Sequence, residues 1–176
     1  GGSNYVYYPT PGTYSWTIPD DAASKVWVTL AAAGSGGVGA CCGMEPYTVV
    51  WGQLTDASGC WANYAMGGMA GGLVNKQEVA VVPGAVATIT VGYGGAGSGT
   101  RQVTGSYGNS QGETRGGSTC FSTASSGSVC ATGGYIGWVQ PFCNTSASQG
   151  GPTLGAGSAG GGVSGTGSGG WARIEW

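Results

Sequence analysis

Apolar and polar residues alternate along several short stretches of the chain, and each stretch predicts a β-strand. The alternation is clearest in residues 13–18 and 25–30, where every second side chain is aromatic or aliphatic. One face of each strand is therefore expected to be buried and the other to meet solvent. The side chains predicted to face inward are Tyr14, Trp16, Ile18, Val26, Val28 and Leu30.

The end of the chain alternates in the same way. In residues 171–176, Trp171, Arg173 and Glu175 fall on one face, and Ala172, Ile174 and Trp176 on the other. A strand this rich in tryptophan is expected to dock onto a sheet. The glycine run 155–170 before it is then expected to be ordered, as extended chain packed against other extended chain.

Turn residues between apolar runs predict two hairpins. Residues 73–82 and 85–91 flank Pro83-Gly84, which suits the two central positions of a type II turn. The shorter runs 118–122 and 128–132 flank a Ser/Gly turn and predict the second hairpin. Residues 5–8 precede prolines and predict an edge strand or an entry arm.

Glycine runs separate the strands. The chain has 176 residues, of which 40 are glycine, and there is no Gly-X-Y period of the collagen type. Without side chains, glycine-rich segments in polyproline-II geometry can lie almost in contact and bond through their backbones, as collagen chains do. The predicted fold class is all-β: a small antiparallel sheet or sandwich, combined with packed polyglycine-II-like segments and irregular disulfide-linked loops. We expect one domain over residues 1–176.

Two stretches interrupt the glycine pattern, the first aromatic insertion (residues 41–66) and the second aromatic insertion (residues 135–150). Residues 41–66 show neither a helical nor a strand period, and a long irregular segment is uncommon unless it is functional or cross-linked. Aromatic side chains offer large contact area at low entropic cost, although here they could instead seal the glycine core. The receptor-binding candidates are Tyr47, Trp51, Trp61, Tyr64, Tyr135, Trp138 and Phe142.

Composition argues against several classes of function. The chain lacks histidine and its few carboxylates are scattered, so we expect no catalytic residues, no metal site, no cofactor and no enzymatic activity. A net charge of −2 predicts no nucleic-acid partner, and no apolar stretch is long enough for membrane insertion. The chain has neither an initiator Met nor a signal peptide, so it is expected to start at a cleavage point or within a longer polypeptide.

Six cysteines in a glycine-rich chain of low charge predict disulfides, with free buried thiols as the alternative. Cys120 and Cys130 are expected to pair, because two short strands and a turn separate them. Cys41 and Cys42 are adjacent and each is expected to bond elsewhere, with Cys60 the nearest partner. The disulfide candidates are Cys41, Cys42, Cys60, Cys120, Cys130 and Cys143.

Four motifs in order resemble the glycine-rich domain found at the ends of bacteriophage tail-fibre proteins. They are TYSWTIP (13–19) with KVWVTL (25–30), QEVAVVPG (77–84) with ATITVGYGGAG (87–97), GSTCF (117–121) with VCATGG (129–134), and GGWARIEW (169–176). The order matches over nearly the whole chain. The chain departs from the family pattern in its six cysteines and in its two aromatic insertions.

The resemblance implies a host-attachment role at the distal tip of a tail fibre, outside the cell. The partner would be a bacterial surface receptor, a glycan or a protein, and the domain would be attached to a fibre shaft or form a homotrimer. A repeating subunit of an extracellular filament and a secreted or cell-surface bacterial adhesin domain remain as alternatives.

Overall fold

A computed structural model describes residues 4–37, 68–97, 115–135, 157–161 and 165–176, and the backbone alone of 39–40, 48–50, 53–55, 61–64 and 100–101. A 3-10 turn spans Asp20–Ala22. The strands are β1 (Tyr5–Tyr8), β2 (Gly12–Thr17), β3 (Lys25–Ala31), β4 (Gly39–Ala40), β5 (Thr48–Val50), β6 (Gln53–Thr55), β7 (Trp61–Tyr64), β8 (Leu73–Ala80), β9 (Val86–Val91), β10 (Thr100–Arg101), β11 (Thr119–Thr123), β12 (Gly127–Ala131) and β13 (Trp171–Glu175).

Two antiparallel four-stranded sheets confirm the all-β prediction. The first sheet has the order β1-β13-β3-β8, and the second has the order β12-β11-β9-β2. The last strand, β13, lies between β1 and β3, so the end of the chain is docked as predicted. Strand β1 is an edge strand of the first sheet, so residues 5–8 do not form an entry arm.

The core lies between the two sheets and is formed by the predicted apolar faces. From the first sheet, Val26, Val28, Leu30 and Ile174 are fully buried, and from the second, Ile89 and Phe121 pack against them. Burying each such side chain stabilises the fold by roughly 1.5–3 kcal/mol. The opposite faces of these strands carry mostly polar or charged residues, as period-two alternation requires.

The predicted hairpin of residues 73–91 is wrong in its pairing, although its turn is right. The Ala85 N–H donates to the Val82 C=O (3.1 Å), and Gly84 has φ 84°, as a type II turn requires. However, β8 pairs with β3 in the first sheet, and β9 pairs with β2 and β11 in the second. The Pro-Gly turn therefore crosses between the sheets, because each strand buries its apolar face against the opposite sheet.

The second hairpin is confirmed. Strands β11 and β12 pair with Cys120 opposite Cys130, whose Cα atoms are 4.1 Å apart, and the two cysteines form a disulfide. Cys130 lies on the exposed, outer face of the second sheet.

Seven segments rich in small residues pack beside the sandwich and are named here the glycine bundle: 32–37, 68–72, 92–97, 115–118, 132–135, 157–161 and 165–170. Apart from 157–161, each segment continues from, or leads towards, a strand of the two large sheets. Segment 32–37 follows β3 and lies in the middle, since it shares backbone hydrogen bonds with each of the other six.

The hydrogen bonds of the central segment repeat every third residue. The N–H groups of Ala32 and Ser35 both donate to segment 68–72, whereas those of Gly34 and Gly37 both donate to segment 165–170. The C=O groups of Ala32 and Ser35 both accept from segment 157–161. A three-residue repeat is the period of an extended helix of the polyproline-II type. The polyglycine-II conformation of the segments stays a prediction.

The first aromatic insertion contains strands that its sequence pattern did not reveal. Strands β5, β6 and β7 form a small antiparallel sheet, and β4 pairs with β10 in parallel. Strands of two to four residues are too short to produce a recognisable alternation, so the expectation of a wholly irregular segment was wrong.

Candidate functional site

The first aromatic insertion is attached to the end of the glycine bundle that lies away from the sandwich. Segment 32–37 leaves β3 and ends at Gly37, whose N–H donates to the C=O of Gly165 (2.9 Å). The returning segment starts at Gly68, whose N–H donates to the C=O of Gly161 (2.7 Å). Both attachment points are therefore held by neighbouring segments of the same bundle.

Two further parts of the chain are attached at this end. Segment 92–97 leaves β9, and segment 115–118 returns to β11, so residues 98–114 connect there. The pairing of Thr100 with Gly39 joins the start of this connection to the start of the first insertion. Segment 132–135 leaves β12 and carries the beginning of the second aromatic insertion to the same place. The topology thus brings both ends of the first insertion and the start of the second to one end of the bundle. After the second insertion the chain re-enters the bundle at Gly157, whose N–H donates to the Gly71 C=O (2.8 Å) beside the sandwich.

The predicted receptor-binding residues are described to different extents. Trp61 and Tyr64 lie on β7 of the small sheet, with only their backbone described. Tyr47, Trp51, Trp138 and Phe142 lie outside the described residues. Tyr135 is described and partly buried.

Tyr135 forms a pair with Arg115. The guanidinium carbon of Arg115 lies 4.0 Å from the centre of the Tyr135 ring, a cation–π contact. The bond from the Gly116 N–H to the Gly134 C=O (3.0 Å) sets the two segments side by side and so places these side chains together. The Tyr135 ring therefore fixes the position of a charged group at the bundle end.

A groove of about 440 Å³ runs along the bundle from the second sheet towards Arg115. Glycine backbone from segments 92–97 and 115–118 forms much of its lining, and Thr13, Thr90 and Ser118 contribute hydroxyl-bearing residues. Tyr93 lines the groove and is 68% exposed. Sequence reasoning missed Tyr93 and Arg115. The available signal was that Tyr93 is the one large side chain in the glycine run 92–97.

A second aromatic surface covers the outer face of the first sheet. Tyr5 and Tyr7 are exposed, Arg173 lies over the Tyr5 ring (4.3 Å), and Trp171 meets Tyr7 edge-on (6.0 Å between ring centres). Trp171 is only partly buried.

Several ionisable groups in the described residues form structural contacts. Lys25 pairs with Glu78 (3.0 Å) and Arg173 with Glu175 (3.3 Å). Asp21 accepts a hydrogen bond from the Trp176 indole (3.0 Å). No three His, Cys, Asp or Glu side chains cluster as metal ligands in the described part of the chain. Burial, and then the neighbouring Tyr14 phenol, raises the pKa of Tyr8.

Of the disulfide candidates, Cys120 and Cys130 are confirmed as a pair. Cys41, Cys42, Cys60 and Cys143 lie outside the described residues. None of the helices in the described residues has the length and apolar character of a membrane span. No protein-family model matches the chain, and no curated protein matches it.

Proposed function

We propose that the chain is a non-enzymatic receptor-binding domain at the tip of a bacteriophage tail fibre. It would attach the virion to a glycan or protein on a bacterial surface. The observation that carries this proposal is that one end of a hydrogen-bonded glycine bundle holds both ends of the first aromatic insertion and the start of the second. A scaffold that holds its loop ends in place reduces the entropy lost when the loops bind.

The motifs shared with tail-fibre domains give the proposal its viral setting. The sandwich at the other end of the bundle has its first and last strands side by side, in β1 and β13, and would face the fibre shaft or neighbouring copies. Binding through loops needs no catalytic group, which agrees with the structural use of Lys25, Glu78, Arg173 and Glu175.

A filament subunit is the second candidate, and the outer face of the first sheet favours it. Exposed Tyr5 and Tyr7, beside Arg173, have the composition of a protein–protein interface, in which Tyr, Trp and Arg are enriched. The two candidates differ in copy number along the particle. A helical array of identical copies under the electron microscope would contradict the tip assignment.

Adsorption to bacteria tests the tip proposal. We expect the fluorescently labelled chain to bind saturably to some strains of a bacterial panel and not to others. On a strain that binds, Trp51→Ala and Trp138→Ala should each weaken adsorption by about ten-fold or more, the usual effect of removing an aromatic anchor.

Trp27→Ala is the matched control, because Trp27 lies on the sandwich, in β3, and not at the bundle end. This variant should adsorb as the unmodified chain does. If both loop variants keep their thermal stability and adsorb normally, the insertions have no part in attachment. If the chain binds no strain, the proposal fails as a whole.

A further inference from the structure

The groove beside Arg115 has the features of a ligand site whose described lining includes none of the predicted receptor-binding residues, although one of them, Tyr135, contacts its arginine. It combines an exposed aromatic ring, a fixed cation, hydroxyl-bearing residues and a lining of glycine backbone. Ligand sites in proteins commonly combine apolar walls with a few convergent polar groups. We propose that this groove binds a sugar unit that carries a carboxylate, within an acidic glycan. The inference deepens the proposed attachment function and rests on it for the biological source of the glycan.

The charge of the groove selects an anion. Among the described residues of the lining, Arg115 is the charged one and none carries a carboxylate. Lys25 and Arg173 have carboxylate partners, whereas Arg115 forms no ion pair within the described residues. Guanidinium offers five N–H donors in a planar fork that matches a carboxylate. The Tyr135 ring contacts the guanidinium without neutralising its charge.

The remaining lining suits a sugar ring. The Tyr93 side chain is largely exposed, so its face can pack on the C–H groups of a pyranose, and such contacts favour stacked geometry. Thr13, Thr90 and Ser118 carry hydroxyls that can exchange hydrogen bonds with sugar hydroxyls.

The glycine segments that line the groove are held rigidly and offer few kinds of chemical group to a ligand. Gly92 and Gly117 approach each other so closely that a Cβ on Gly117 would lie 2.9 Å from the Gly92 Cα. The Gly117 N–H also donates to the Tyr93 C=O (2.8 Å), which fixes the backbone that carries the tyrosine. A site that is already ordered loses little entropy on binding.

The test compares an oligosaccharide with and without its charge. We would titrate the chain at low ionic strength with a trisaccharide of galacturonic acid and with its methyl ester, which has the same rings and no carboxylate. The acid should bind about ten-fold or more tightly than the ester, because one charge-assisted contact is lost in the ester. Equal binding of the two, or binding of neither, would overturn the inference.

Variants assign the effect to the groove. Arg115→Gln should abolish the preference for the acid, whereas Lys76→Gln should preserve it, since Lys76 is an exposed cation on β8 with no ion pair in the described residues. Tyr93→Ala should weaken the binding of acid and ester alike. An Arg115→Gln variant that keeps the preference contradicts the assignment.

Binding can also be located without any variant. In amide NMR spectra of the unmodified chain, the acid trisaccharide should shift the signals of Gly92, Gly94 and Gly117. Shifts confined to other residues would overturn the inference.

Cell adsorption separates this inference from the proposed function. Suppose that adsorption depends on Trp51 and Trp138 but not on Arg115, and that the chain does not prefer the acidic glycan. The tip function is then supported, and the proposed ligand site in the groove is wrong. If the chain binds the acid selectively through Arg115 but adsorbs to no bacterium, the groove is a ligand site and the proposed tip function is wrong.

Discussion

At the scale of single residues, glycine is required in the bundle by space rather than by backbone conformation. Among the described glycines, positive φ occurs at Gly12, Gly84 and Gly127, which lie outside the bundle segments. Within the bundle, a Cβ on Gly34, Gly116 or Gly133 would sit less than 3.0 Å from a carbonyl group of a neighbouring segment. Such a distance forces the backbone of the neighbour to move.

Replacing a bundle glycine by alanine adds one methyl group and tests whether the position requires glycine. Gly133→Ala should cost at least about 3 kcal/mol of unfolding free energy, because the Cβ overlaps the Gly116 C=O and the segments must separate. Gly84→Ala is the control, since its Cβ meets nothing within 4 Å and only its φ of 84° opposes alanine. That change should cost about 1–2 kcal/mol. Denaturant unfolding of both variants gives the comparison, and equal costs would refute the spatial explanation.

The raised pKa of Tyr8 predicts that the folded chain loses stability at alkaline pH. Burial, followed by the Tyr14 phenol, raises its pKa in the folded state, so the folded chain holds this proton more tightly than the unfolded chain does. The resulting stabilisation is complete below the ordinary tyrosine pKa of about 10 and is lost as the pH rises through the higher folded value. Tyr8→Phe cannot ionise and should show a smaller fall in unfolding free energy between neutral and strongly alkaline pH. The same fall in both proteins would show that Tyr8 is not responsible.

At the scale of elements, the junction between sheet and bundle depends on a buried hydroxyl. Thr119 at the start of β11 is fully buried, its hydroxyl donates to the Ala31 C=O (2.8 Å), and it accepts from the Gly92 N–H (3.1 Å). Ala31 and Gly92 are the points where two strands pass into the bundle. Thr119 thus supplies the hydrogen bonds that neither a regular sheet nor the bundle provides there.

Replacing this hydroxyl by a methyl group measures its contribution. Thr119→Val keeps the shape and β-propensity of the side chain but leaves the Gly92 N–H without its acceptor in a buried position. We expect a loss of about 1–3 kcal/mol in unfolding free energy. Thr88→Val on β9, which is exposed, is the control and should have little effect. A Thr119→Val variant as stable as the unmodified chain would show that the junction does not need the hydroxyl.

Elements with a clear alternation could be predicted, and their partners only in part. Strands β2, β3 and β13 were identified, and for β2 and β3 the inward faces were identified as well. The pairing of β8 and β9 was not, because a turn between two apolar runs is the same in sequence whether the chain folds back in one sheet or crosses to another. Backbone hydrogen bonds of Ile18 hold the turn between the two sheets. Its C=O accepts from the Gly84 N–H and its N–H donates to the Ala85 C=O, which docks the turn against the end of β2. That contact is distant in sequence.

At the scale of the whole molecule, the chain is a β-sandwich continued by a glycine bundle around segment 32–37. The glycine content predicted packed segments. It could not identify the central segment, because that segment includes Ala32, Ala33 and Ser35 as well as glycine. Centrality follows from six sets of backbone hydrogen bonds. The groove between Tyr93 and Arg115 was equally hidden, since segments 92–97 and 115–118 meet only in the folded molecule.

Hydrogen exchange of the backbone amides tests this architecture most directly. In NMR-detected exchange at neutral pH, the amides of Gly34, Ser35, Gly134, Gly167 and Gly170 should be protected, because each donates to another bundle segment. Protection comparable to that of the buried strands β3 and β13 is the predicted result. Exchange at the rate of an unstructured peptide throughout segments 32–37 and 165–170 would contradict the bundle and, with it, the scaffold on which the proposed attachment depends.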